Sequence, residues 1–290
     1  MTAYLNGQFL PLSEAKISPL DRGFLYADGV YEVIPVYSRY PFRVDEHLQR
    51  LQSSLDGIRL PNPHTNDEWK PIIRQLVTEA EFDDQTVYIQ VTRGADTKRN
   101  PCFPKGIPQT VFLFTAPRVG PTAEQRKAGV AAVTAPDLRW ARCDLKTVSL
   151  LPNVLTRQLS DDVGGVETLM LRDGFLTEGS SSNVFIVKNG IILTPPKSHH
   201  ILPGITRDVV LGLAEKHKAP HEIRPISEEE LRNTDELWIT SSNKEVLPIV
   251  TLDGQPVGRG ESAGKPGPVT CQMYEWFCAY RENRVRCGND

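Results

Sequence analysis

The chain has no apolar run approaching the roughly 20 residues that a membrane-spanning helix needs. Its start, Met1-Thr-Ala-Tyr-Leu-Asn-Gly7, lacks the basic stretch and apolar segment of a secretory leader, so none is expected. Thirty-three Lys and Arg against 36 Asp and Glu leave a net charge of −3, without the basic excess of a nucleic-acid binder. Only five cysteines are present, Cys102, Cys143, Cys271, Cys278 and Cys287, and none has C-x-x-C spacing. An odd, scattered set fits reduced thiols in a cytoplasm better than a disulfide framework. The six histidines form no cluster with cysteine at zinc spacing, and no metal site is expected. What is there is an ordinary globular composition, 39% hydrophobic and 24% charged over 290 residues. At roughly 100–200 residues per domain, that length suits two domains with a ligand cleft between them.

The order of patterns describes an α+β chain. Asn6-Gly7 marks a tight hairpin inside Tyr4–Phe9. Val30–Tyr37 is β-branched and aromatic and reads as a strand, with Tyr31, Val33 and Pro35 on one face and Glu32 on the other. Pro35 donates no ladder hydrogen bond and suggests an edge or a bulge. Asp45 is the expected N-cap of a helix carrying Leu48, Leu51, Leu55 and Ile58, and a second helix covers Trp69–Glu79. Strands follow at Val87–Thr92 and Thr110–Thr115. The Pro- and Gly-bearing stretch Ala116–Thr122 is the best linker candidate. Residues 1–117 are expected as a small N-terminal domain, 118–122 as the linker and 123–290 as a larger domain of mostly antiparallel strands. In the larger part, Asp173-Gly174 and Asn189-Gly190 signal hairpins, Ile205–Lys216 a helix, Ser227-x-x-Glu230 a capping box, Glu236–Thr240 a strand and Thr270–Tyr280 a closing helix.

Three local patterns could carry chemistry. Gly204-Ile-Thr206 opens a helix, where free backbone N–H groups, the dipole and the Thr206 hydroxyl suit an anion. Thr177-Glu-Gly-Ser-Ser-Ser-Asn183 is either a plain polar loop or a place where Glu178 meets a cationic ring nitrogen. Lys146 sits between Leu145 and Thr147-Val-Ser-Leu-Leu151, so that desolvation and nearby cations would supply the neutral amine a Schiff base needs; beside Arg142 it could equally belong to a basic patch. Together the three meet the requirements of pyridoxal phosphate: an amine for the aldehyde, a carboxylate for the ring nitrogen and donors for the phosphate.

From Tyr4 to about Pro248 the chain resembles the class IV, or fold-type IV, pyridoxal-phosphate-dependent aminotransferases, and most of all the D-amino-acid aminotransferases. The resemblance is carried by Asp21-Arg-Gly23, Asp28-Gly-Val-Tyr-Glu32, Glu46-His-Leu-Gln-Arg50, Cys143-Asp-Leu-Lys146, Thr177-Glu-Gly-Ser-Ser-Ser-Asn-Val-Phe185, Gly204-Ile-Thr-Arg207 and Asp235-Glu-Leu-Trp-Ile-Thr-Ser-Ser242. It implies that Lys146 condenses with the cofactor aldehyde and then moves the proton between Cα and C4′. It implies that Glu178 pairs with the pyridine nitrogen and that Leu202 packs on the ring. Arg50, Gly204, Ile205, Thr206 and Ser242 would hold the phosphate, the arginine by a bidentate contact. His47, three residues before Arg50, reads as a buried, hydrogen-bonded structural histidine.

On the substrate side the resemblance implies Tyr31 and Val33 on the strand after Asp28-Gly29, and Arg99 on a loop lent by a dimer partner, with Lys98 or Arg93 as rivals. Pro101 stands where the family has a histidine, and Pro35 where a lysine often occurs, which would weaken preference for dicarboxylic substrates. The implied activity is ping-pong transamination between a D-amino acid, such as D-alanine or D-glutamate, and 2-oxoglutarate or pyruvate, by a cytoplasmic homodimer with no nucleic-acid or membrane partner. Alternatives on the same fold are a branched-chain or (R)-amine transaminase and an aminodeoxychorismate lyase. Outside it stands a binding protein that keeps only the fold.

Overall fold

Asn6 and Gly7 both take positive φ, 49° and 94°, and close β1 (Thr2–Leu5) onto β2 (Gln8–Pro11) as the turn residues require. This hairpin opens the first of two units in the computed structural model, which describes residues 1–287. The first unit comprises Met1–Val119, Leu145–Leu150 and the chain from Arg284; the second comprises Gly120–Asp144 and Leu151–Asn283. After the hairpin come α1 (Arg22–Tyr26), β3 (Gly29–Tyr37), β4 (Tyr40–Pro41), α2 (Val44–Gly57), α3 (Asn66–Glu79), β5 (Gln85–Thr92) and β6 (Thr110–Pro117).

The six strands form one sheet in the order β2-β1-β6-β5-β3-β4, antiparallel at every ladder. Alternation along each strand gives it two faces. On one, Val30, Ile34, Val87, Ile89 and Leu113 bury against Leu48, Leu51 and Leu55 of α2 and Trp69, Ile73 and Leu76 of α3. The other carries Tyr31 opposite Gln90 and Val33 opposite Tyr88. Pro35 is tolerated because β3 is nearly an edge: its outer neighbour β4 reaches only Val36 and Tyr37. Helix α2 starts earlier than expected: Arg43, at φ 57°, is the N-cap, and Asp45 lies in the first turn, where its charge suits the dipole.

Leu145–Leu150 joins this unit by pairing with β3: Tyr31 N–H donates to Lys146 O at 2.9 Å and Val148 N–H to Gly29 O at 3.1 Å. Gly57 makes room for it, since a Cβ there would stand 2.3 Å from Leu145 Cδ2.

The second unit holds α4 (Ala123–Ala128), β7 (Val130–Pro136), α5 (Leu151–Asp161), β8 (Glu167–Arg172), β9 (Phe175–Gly179), β10 (Asn183–Lys188), β11 (Ile191–Thr194) and α6 (Ile205–Lys216). They are followed by β12 (His221–Ile223), α7 (Glu228–Arg232), β13 (Glu236–Ser241), β14 (Glu245–Leu252), β15 (Gln255–Pro256) and α8 (Pro268–Cys287). Its sheet runs β12-β11-β10-β13-β14-β7-β8-β9. Three pairs, β11 with β12, β14 with β7 and β7 with β8, are parallel. The core beneath it gathers Leu169, Val184, Ile186, Leu193, Leu237, Ile239, Leu247 and Ile249. Asp173-Gly174 and Asn189-Gly190, all at positive φ, make the two expected hairpin turns. Helices and mainly antiparallel strands thus build an α+β chain. Among the described residues no helix is long and apolar enough to cross a membrane, and no three His, Cys, Asp or Glu are grouped to hold a metal.

Candidate active site

In the first unit, the pairing with β3 fixes the backbone of Lys146, and Ser54 Oγ accepts its N–H at 3.1 Å. The half-buried side chain ends over the Tyr31 ring, with Nζ 4.1 Å from the centroid. No carboxylate pairs with this ammonium among the described residues. Tyr31 stacks on Tyr88 at 5.8 Å, and Tyr88 donates its hydroxyl to Gln90 Oε1 at 2.7 Å. The lysine amine therefore stands on an aromatic, uncharged surface.

Behind that strand face lies Glu32, with no exposed surface. Arg50 Nε and Nη2 donate to its two oxygens at 2.7 and 2.8 Å, and His47 Nδ1 meets Oε2 at 2.8 Å. The bidentate contact expected of Arg50 is thus made to Glu32, which sets the plane of the guanidinium. Burial alone would raise the Glu32 carboxyl, but Arg50 and then His47 hold it well below the usual range. Burial also lowers His47, so the ring is neutral and presents Nδ1–H to the carboxylate. His47 is the buried, hydrogen-bonded histidine expected.

In the second unit, the next-to-last residue of β9 is Glu178, which is buried. Its Oε1 accepts from Arg139 Nη1, and its Oε2 accepts from Leu202 N–H at 3.1 Å and Asn183 Nδ2 at 3.3 Å. Arg139 is clamped in turn by Asp137 at 2.9 and 2.8 Å. Burial pushes the Glu178 carboxyl up to about 7; Arg139 opposes the rise and Asp137 adds to it. Asn183 also donates to Leu202 O at 3.0 Å, which ties Leu202 to the same carboxylate. Gly204 follows and caps α6 with no side-chain hydrogen bond. Any Cβ there would lie 1.8 Å from Asn183 Oδ1, so glycine is required for that close approach. Ile205 and Thr206 then lead the helix, where the first N–H groups have no intrahelical acceptor. Ser242 lies half-buried in the turn after β13, and two residues before it the Thr240 hydroxyl is buried without a hydrogen-bond partner among the described residues.

The substrate-loop residues are placed differently. Lys98 and Arg99 are exposed, and the Arg99 guanidinium lies over the Tyr26 ring at 5.3 Å. Among the described residues, no hydrogen bond, ion pair or ring contact joins either to Tyr31 or Val33. Arg22 holds the loop by donating to Asn100 O and, at 3.2 Å, Pro101 O. Arg93 is no rival for a substrate carboxylate: it grips Asp28 at 2.8 and 3.0 Å, donates to Ile58 O and Arg59 O, and lies on the Phe103 ring.

Three participants escape a reading of the sequence. Arg139 and Asp137 carry the signal of opposite charges two residues apart, but nothing local says that β9 will bring Glu178 beside them. Glu32 is marked only by facing away from Tyr31, toward the helix that bears His47 and Arg50.

The family described as amino-transferase class IV matches residues 29–252. A D-alanine aminotransferase of Bacillus licheniformis is 39% identical over 270 residues, covering 93% of each chain. One from Staphylococcus aureus is 38% identical over 280 residues, 97% of this chain and 98% of its own. Among solved structures, a branched-chain amino acid aminotransferase with pyridoxamine 5′-phosphate, from the organism abbreviated T.th., has a TM-score of 0.87 at 26% identity, covering 96% of this chain and 92% of that one. The Escherichia coli branched-chain amino acid aminotransferase has a TM-score of 0.85 at 26% identity, covering 94% and 92%.

Proposed function

The chain belongs to the class IV aminotransferase family, and we propose that it moves the amino group of a D-amino acid, such as D-alanine, to a 2-oxo acid, in two half-reactions that use one site in turn. Relatives named D-alanine aminotransferase, at up to 39% identity over nearly the whole length, support that substrate class. The observation that carries the mechanism is the amine of Lys146 resting on the Tyr31 ring with no carboxylate partner among the described residues.

The residues fit pyridoxal 5′-phosphate, the cofactor this family implies. An uncapped helix start at Gly204 suits the phosphate, the orphaned Thr240 hydroxyl two residues before Ser242 suits a further acceptor, and Glu178 offers a buried carboxylate to a ring nitrogen. When bound, the cofactor supplies an aldehyde that takes up amines and a ring that accepts the electron pair released at the substrate Cα.

This chain's own residues do the rest. Lys146 Nζ anchors the cofactor and takes the proton from Cα. Glu178, held by Arg139, Asn183 and the Leu202 N–H, keeps a proton at the ring nitrogen. Ile205, Thr206, Ser242 and Arg50 bind the phosphate, and Leu202 packs on the ring. Tyr31 and Val33 face the substrate, whose carboxylate is met by Arg99, with Lys98 beside it, from a second copy of the chain. The reading includes a homodimer in the cytoplasm.

The test is a spectroscopic half-reaction. Purified protein loaded with pyridoxal 5′-phosphate is yellow, and D-alanine abolishes the visible band until a 2-oxo acid restores it. Branched-chain aminotransferases are among the solved structures it resembles, so L-leucine is the control, alongside (R)-1-phenylethylamine and aminodeoxychorismate. Faster reaction with any of these than with D-alanine overturns the assignment.

A further inference from the structure

A second buried carboxylate lies behind the loop that follows Glu178. Glu167, on β8, has no exposed surface, yet it is not among the groups assigned to cofactor or substrate. Its Oε1 accepts from Ser180 Oγ and from Thr168 N–H at 3.0 Å. Its Oε2 accepts from Ser181 Oγ at 3.1 Å and Ser182 Oγ at 2.6 Å. All three serines of the loop thus converge on one side chain. The loop itself is tight: Gly179 N–H donates to Ser182 O at 2.7 Å, and a Cβ on Gly179 would stand 2.5 Å from Ser182 Oγ.

The remaining partner comes from elsewhere in the chain. Lys244 Nζ donates to Glu167 Oε2 at 2.7 Å and to Ser181 Oγ at 2.8 Å. Lys244 ends the turn that contains Ser242, and its own N–H is held by Ser241 Oγ at 3.1 Å. The ion pair is well buried, with side-chain exposures of 17% and 0%. One lysine therefore straps the turn bearing Ser242 to the loop whose two ends are Glu178 and Asn183. Burial works against the Glu167 charge, and Lys244 together with the hydroxyls of Ser180 and Ser182 outweighs it, holding the carboxyl below its ordinary value.

We propose that Lys244, acting through Glu167, is a positioning residue that fixes the Ser242 turn relative to the Glu178–Asn183 loop and so sets the affinity for pyridoxal 5′-phosphate. The proposal rests on the functional reading above, in which Glu178 and Ser242 hold that cofactor. Neither Lys244 nor Glu167 is assigned a contact with it. What they supply is the relative placement of two loops that the sheet also links through the Asn183–Thr240 pair. Geometry of this kind is felt as binding strength, because each bound group must meet all its partners at once.

The experiment titrates cofactor-free protein with pyridoxal 5′-phosphate, following absorbance, and records the melting temperature of the same cofactor-free samples. Lys244→Met is expected to raise Kd about tenfold, a coupling of ordinary size for groups in one network. Lys244→Arg, which keeps the charge and the reach, should restore Kd to within about threefold of wild type. Ser182→Ala, which removes one hydrogen bond and leaves the ion pair, should raise Kd about threefold even if Lys244→Met does not fold. Unchanged Kd in Lys244→Met or in Ser182→Ala overturns the proposal. So does an equal rise in the Met and Arg variants that follows their loss of melting temperature, since that is mere destabilisation. Wild-type protein that takes up no cofactor overturns instead the functional reading beneath it.

Discussion

Replacing Arg139 with methionine isolates the electrostatics around Glu178. The guanidinium is about 5% exposed and lies between two buried carboxylates, Asp137 and Glu178. Its loss leaves Asp137 with Arg172 at 3.2 Å and the Thr177 hydroxyl at 2.9 Å. Glu178 is left with only the neutral donors Leu202 N–H and Asn183 Nδ2. Burial already raises the Glu178 carboxyl to about 7, and Arg139 is the charge opposing that rise while Asp137 adds to it. Two unit charges about 4 Å apart interact by about 4 kcal/mol at an effective dielectric constant of about 20. At about 1.36 kcal/mol per pH unit, that bounds the further rise at roughly three units, and relaxation of the site leaves roughly one or two. The carboxylate form is the one that holds a proton on a ring nitrogen, so a raised value moves the active form to higher pH. Stopped-flow decay of the visible band with D-alanine, recorded from about pH 6 to 9.5, should show an alkaline shift of at least about one unit in Arg139→Met. At about pH 7.5 the rate should fall at least about threefold. A variant that is folded by circular dichroism and keeps the wild-type midpoint refutes the reasoning.

Glu178→Gln should slow Cα proton removal, measured with Cα-deuterated D-alanine, by more than it raises Kd for the cofactor, since its role is electronic; equal half-reaction rates contradict this. Glu32→Gln leaves Arg50 without its buried anion and should cost about 3–5 kcal/mol near pH 7 by denaturant unfolding. Because the folded carboxyl is held below its unfolded value, the stability it contributes is present above about pH 4.3 and fades below it. The gap to wild type should therefore close in acid, and a gap independent of pH rules out the charge explanation. Arg99→Ala should raise KM for 2-oxo acids by about thirtyfold or more, the lower end of about 2–5 kcal/mol for a desolvated carboxylate contact, with little effect on neutral amines; equal effects on both remove Arg99 from that role.

Much of the local structure was legible because single residues force it. Asn6-Gly7, Asp173-Gly174 and Asn189-Gly190 all adopt the positive φ that their types permit, so the hairpins were readable. Helix α6 spans Ile205–Lys216, as its apolar spacing after Pro203-Gly204 implies. Short or long-range features were hidden. The helix α4 is six residues of polar sequence, betrayed only by the Thr122 and Gln125 capping box, at the end of a stretch that reads as linker. Strand β14 contains Pro248, which argues against an interior strand, yet pairing with β7 begins only at Ile249, so the missing N–H costs no ladder bond there. The motif residues Lys146, Glu178 and Gly204–Thr206 stood out by type. Their supports, Arg139, Glu32 and Glu167, did not, because what selects them is proximity across strands that no local pattern records.

The most direct measurement is reduction of the cofactor-loaded protein with borohydride, followed by digestion and mass spectrometry. The account predicts a phosphopyridoxyl mass on the peptide containing Lys146, and on none of the other eleven of the chain's twelve lysines. The same mass on a different lysine, or no trapped cofactor in protein that turns over D-alanine, contradicts it.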